Sequence, residues 1–167
     1  DPEKREHIRR LLIRAAQQKT IPIVNYNDPV SDEENRKMEL AIRRSHGDQV
    51  VECVDNDETA AVIANLVHAK KLVLMTSTEG IYRDPADPKT LVEQVTAKSM
   101  DELEEKVRRL QESCVGASRA GANGAKAKLE YALKSARQGT MVIIGHARHR
   151  LSDLVEGRVA CTRIGLE

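Results

Sequence analysis

The chain has 167 residues, 40% apolar and 32% charged, with a formal net charge of +1. This length predicts one domain, residues 1–167, with its own core, and the near-neutral charge gives no reason to invoke a nucleic-acid partner. No run approaches the roughly 18 apolar residues of a membrane span, and with three Tyr, no Phe and no Trp there is no aromatic platform for single-stranded nucleic acid.

In chain order, residues 3–18 carry Ile8, Leu11, Leu12, Ala15 and Ala16 at helical spacing. Residues 20–25 read as a buried strand, 32–45 as an exposed helix, and Gln49 to Val54 as a second strand. Asp55 to Lys70 is a helix with Ala60, Ala61, Ile63, Ala64 and Val67 on its inner face, and Lys71 to Met75 is a strand. An Asp- and Pro-rich loop then runs to about Leu91, and Ser99 with Glu102 forms a capping box that opens a helix ending near Glu112. A small-residue loop precedes a helix from Ala125 to Gln138. Thr140 to Ile144 is a strand, Leu151 to Val155 a helical turn, and Arg158 to Ile164 the last strand. Cys53, Cys114 and Cys161 are odd in number and far apart. They read as reduced thiols of a cytoplasmic protein, two of them core residues.

Short apolar strands alternating with helices predict an α/β fold around a mainly parallel sheet, whose ligands lie outside the carboxyl ends of the strands. Four strands end in polar clusters: Asn25-Tyr26-Asn27-Asp28, Asp55-Asn56-Asp57, Thr76-Ser77-Thr78-Glu79, and Gly145 to His149. Their recurrence favours a shared crevice over four independent turns. Gly121 and Gly124 sit before a helix whose first turn carries Lys126 and Lys128, which is either a phosphate site or a flexible loop before a surface helix. Asp55 or Asn56 can cap the helix that follows, and Gly80 suggests a positive φ angle. His146 and His149 offer either two metal ligands or a basic lip for phosphates.

In this order, the stretches I-P-I-V-N-Y-N-D, V-D-N-D-E-T-A-A through G-I-Y-R-D-P, G-A-N-G-A-K-A-K-L and D-L-V-E-G-R-V-A-C-T-R-I resemble the amino-acid kinase family, and its glutamate 5-kinase members in particular. The resemblance spans about residues 1–166. It implies a carbamate-kinase-like fold, incomplete at the N-terminus, and transfer of the ATP γ-phosphoryl group to a small carboxylate. Glutamate, giving glutamyl 5-phosphate for proline biosynthesis, is the first candidate. Asp28, Asn27 and Asn56 would hold the amino-acid substrate. Asp57 would organise the catalytic lysines, and Lys128 would stabilise the transferring group. Thr76, Ser77, Tyr82, Gly121, Ala122, Asn123, Gly124, Lys126 and Lys128 would bind nucleotide, with Mg²⁺ bridging its phosphates. A homo-oligomer is implied too.

The sequence departs from the family pattern in places. It lacks the family's opening strand, Lys and Gly-rich turn, which predicts a missing or separately supplied N-terminal half. Ser77 stands where the family has Asp, the glycine loop is altered, and residues 31–47 read as an insertion. The alternative is a degenerate, non-catalytic homologue that binds nucleotide or serves in assembly.

Overall fold

A computed structural model describes residues 2–24, 56–84, 86–114 and 124–167. The chain divides into two compact units, Asp1–Thr59 and Ala60–Glu167. The expected helix at 32–45, the strand at 49–54 and the insertion at 31–47 lie outside the described residues, as does Cys53.

In the first unit, α1 (Pro2–Gln17) forms as the spacing predicts, with Glu6 paired to Arg9 and Arg10 one turn on. Its Ile8 and Leu11 are exposed. The strand expected at 20–25 does not form over 20–24, where the chain is irregular and Ile21, Ile23 and Val24 are exposed. An apolar run becomes a strand only when a ladder satisfies its N–H and C=O groups, and periodicity cannot report that partner. The first residues of α2 (Asn56–Leu66) close this unit, with Asp57 and Glu58 in the first turn, where negative charge suits the helix dipole.

The second unit is a four-stranded sheet. It contains β1 (Lys71–Thr76), β2 (Gln94–Ala97), β3 (Met141–His146) and β4 (Cys161–Leu166) in the order β1-β3-β4-β2. β1 with β3 and β2 with β4 are parallel, while β3 with β4 is antiparallel. The sheet is therefore mixed but mostly parallel, and helices flank it as expected. β2 is an addition to the expected elements, because its four residues continue the loop without a turn signal between them. Boundaries elsewhere move by a few residues, most for α2, which ends at Leu66 and not at Lys70, and for β4, which begins at Cys161 and not at Arg158.

Alternation splits the core between the two faces of the sheet. On one face, Leu74, Val142, Ile144 and Ile164 pack with Leu103, Val107 and Leu110 of α3 (Met100–Ser113) and with Leu129, Ala132 and Ala136 of α4 (Gly124–Ala136). On the other, Ile143 and Cys161 meet Leu154 of α5 (Leu151–Glu156). Cys114 and Cys161 are both buried free thiols, and burial pushes the Cys114 thiol up against the opposing charge of Lys126.

Candidate functional site

The parallel pairing of β1 and β3 sets Thr76 opposite His146 at their carboxyl ends. One step further, the Ala147 N–H donates to the Thr76 carbonyl at 2.8 Å. Two of the four polar clusters, Thr76–Glu79 and Gly145–His149, thus come together at one edge of the sheet. Asn27, Asp28 and Asp55 lie outside the described residues, and Asn56 and Asp57 open α2 within the first unit.

Thr76 continues the row Leu72, Leu74, and His146 the row Val142, Ile144, which is the face covered by α4. α4 feeds β3 through the short turn 137–140, so it runs back against β3 and its start points to the edge where β3 ends. α3 leaves β2 just as directly and lies antiparallel to α4. Gln111 Nε2 donates to the Lys126 carbonyl (3.0 Å) at one end of the pair, and Arg137 bridges to Glu104 (2.8 Å) at the other. Gly124 therefore begins α4 at the level of Thr76 and His146. Its φ of +62° is left-handed, which a side chain would resist. Gly121, Ala122 and Asn123 lie outside the described residues.

The helix sends its two lysines to different sides, because residues two apart are rotated by about 200°. Lys126 is exposed and lines a groove of about 600 Å³ between α3 and α4, with Arg108, Gln111 and Tyr131. Lys128 is half-buried and lies outside that groove's lining. Their side chains therefore leave the helix in opposite directions.

The turn after β1 is held tightly. Ser77 is exposed, and Thr78 Oγ1 donates to the Gly80 carbonyl at 3.0 Å. Gly80 does not adopt a positive φ, contrary to the expectation from its place in the loop. Its lack of a side chain serves close approach: a Cβ there would lie 2.4 Å from Thr162 Oγ1 and 2.9 Å from the Thr162 backbone nitrogen. The buried Thr162 hydroxyl accepts from the Ile81 N–H (2.8 Å) and donates to the Val92 carbonyl (2.7 Å), pinning the loop to β4. Tyr82 is half-buried and pairs across an isolated bridge with Leu91. Asp84 and Asp87 are turn formers, accepting from the backbone N–H groups of Ala86 and Lys89 at 2.9 Å each.

His146 Nδ1 accepts the Arg148 backbone N–H (3.0 Å), which leaves the ring proton on Nε2. The expected basic lip is neutralised in part. Arg148 pairs with the Glu79 carboxylate, and His149 Nε2 lies 2.6 Å from its other oxygen. No sequence signal links Glu79 to residues 69 and 70 positions away, except that both turns follow neighbouring parallel strands. Among the described residues, no three His, Cys, Asp or Glu side chains gather to hold a metal ion, and no helix is long and apolar enough to cross a membrane.

A family model described as "Amino acid kinase family" matches residues 1–146. The glutamate 5-kinase of Gloeobacter violaceus is 32% identical over 149 residues, 88% of this chain and 35% of that protein. That of Geobacillus kaustophilus is 33% identical over 87% of this chain and 34% of its own length. Glutamate 5-kinase 1 of Bacillus subtilis is 30% identical across 99% of this chain and 41% of its own. The chain thus spans roughly a third to two fifths of the length of these curated relatives. A solved carbamate kinase from Giardia lamblia bound to AMP-PNP superposes with a TM-score of 0.51 at 19% identity, over 68% of this chain and 32% of that one, and so shares its fold. A family match over most of the sequence, on an α/β scaffold of the same kind, means that this chain belongs to the amino acid kinase family.

Proposed function

We propose that this chain forms the nucleotide-binding part of a kinase that transfers the γ-phosphoryl group of ATP to a small carboxylate, with glutamate the first candidate and an acyl phosphate the product. One observation carries the reading: the start of α4 with its left-handed Gly124 shares an edge and a face of the sheet with Thr76 and His146. Unpaired N–H groups and the positive end of the helix dipole make such a start suited to phosphate. The loop 121–124 and Lys128 would take the phosphates, with Lys128 on the transferring group. Thr76, Ser77 and Tyr82 would border the nucleotide, and Lys126 would add charge from the groove side. Mg²⁺ would ride on the phosphates, supplying charge neutralisation. By likeness to the family, Asp28, Asn27 and Asn56 would hold the amino acid and Asp57 would orient the lysines. A place in proline biosynthesis, a cytoplasmic location and a homo-oligomer belong to the same proposal.

A second reading, nucleotide binding without catalysis, has one specific support. Ser77 is exposed and brings no carboxylate to the edge where the family pattern has Asp.

Both readings require nucleotide binding. Mg·ATP at a hundredfold excess over Kd should stabilise the chain by about 2.7 kcal/mol in thermal unfolding. No shift at millimolar Mg·ATP would count against both.

A further inference from the structure

We propose that Glu79 is a positioning residue for the nucleotide site, clasping the turn after β1 to the turn after β3 through His149 and Arg148. The proposal rests on the nucleotide reading above and deepens it. Thr76 and His146 are register partners, and Glu79 and His149 each lie three residues beyond them. Past the strands, a single backbone hydrogen bond, Ala147 N–H to the Thr76 carbonyl, continues the ladder. The next tie is the Glu79 carboxylate, which takes His149 Nε2 on one oxygen at 2.6 Å and the Arg148 guanidinium on the other.

The clasp is better shielded than an ordinary surface pair. The side chains of Glu79 and His149 are 17% and 20% exposed, so water screens their interaction less. The His146 and His149 rings meet edge to face at 6.3 Å, extending the connection back to the end of β3. Arg148 also hands its backbone N–H to His146 Nδ1. Glu79 therefore fixes both turns and, through them, where the Thr76 hydroxyl and the His146 Nε2–H sit. It also keeps a carboxylate at the edge that Ser77 leaves without one.

The test reads the clasp and the nucleotide separately, on the 167-residue chain. Amide hydrogen exchange without nucleotide should rise at least about tenfold at Ala147 in Glu79→Ala, a factor of ten being about 1.4 kcal/mol. The Ile81 amide, bonded to Thr162, should stay protected and so show an intact fold. Calorimetric Mg·ATP affinity, measured well below the melting temperature, should fall about tenfold in Glu79→Ala and only about threefold in Glu79→Gln, which keeps an acceptor for His149. Unchanged exchange at Ala147 would overturn the clasp. Raised exchange with wild-type affinity would overturn the positioning role. A wild-type chain that binds no Mg·ATP would overturn the nucleotide reading and the role with it, while exchange still reports whether the clasp exists.

Discussion

At Gly80 the missing side chain matters for space and not for backbone conformation. The atom that a Cβ would strike is the Thr162 backbone nitrogen as well as its hydroxyl, and backbone in a central strand cannot move aside cheaply. Gly80→Ala should therefore cost about 1–3 kcal/mol, read as a shift in the urea midpoint at unchanged slope. An unchanged midpoint would mean that the loop is free to lift from β4. Lys128 calls for the opposite pattern. It is half-buried and its proposed work is electrostatic, so Lys128→Ala should move stability by less than about 1 kcal/mol while weakening Mg·ATP binding measurably. A variant that loses several kcal/mol of stability yet, measured while folded, binds Mg·ATP as tightly as its parent would reverse that assignment.

Among the elements, α3 shows how a helix start is specified. Ser99 Oγ accepts the Glu102 N–H at 3.3 Å, as the capping box predicts. The return bond goes one residue further back, from the Lys98 N–H to Glu102 Oε2. Ser99→Ala should cost about 1 kcal/mol at any pH between 3 and 8. Glu102 adds a pH-dependent part. Its carboxyl is held below the usual range by the Lys106 side chain first and the Lys98 N–H second. The unfolded chain therefore binds the proton more readily, so this contribution is complete above the ordinary carboxylate pKa and is lost as pH falls through the lowered folded value. Urea titrations should show Glu102→Gln destabilising at pH 7 and indistinguishable from its parent in strong acid. A penalty independent of pH would assign the effect to packing.

Which elements were legible in the sequence follows from the same physics. α1, α3 and α4 declare themselves through local periodicity and caps, information carried within a few turns of chain. β2 and the failed strand at 20–24 depend on partners far away in sequence, as does the clasp of Glu79 on Arg148 and His149. For the proposed site, position after strands and family likeness point to the residues. What the sequence could not supply was their orientation: Lys126 and Lys128 turning apart, and Gly80 seated against Thr162.

At the scale of the whole molecule, the question is whether this chain can carry out the proposed transfer alone. Phosphoryl transfer needs charge on several sides of the γ-phosphate, since its transition state is stabilised by positioning and electrostatics with little covalent help. Here the lysines next to the proposed cradle both come from the start of α4, so their charge reaches the phosphates from one end only. The relatives that match, named as glutamate 5-kinases, have two to three times the length of the stretch this chain covers. Each aimed charge that is missing removes some 3 kcal/mol of transition-state stabilisation, on the order of 10²-fold in rate. The 167-residue chain should therefore bind Mg·ATP yet release no glutamate-dependent ADP alone. Under the proposed function, supplying the rest of a matching glutamate 5-kinase, as a separate chain or a fusion, should bring turnover, and Lys128→Ala in that assembly should lower it on the order of 10²-fold. Clear turnover by the chain alone would refute the need for further residues. Silence in both mixtures, with Mg·ATP still bound, would select the non-catalytic reading that Ser77 supports.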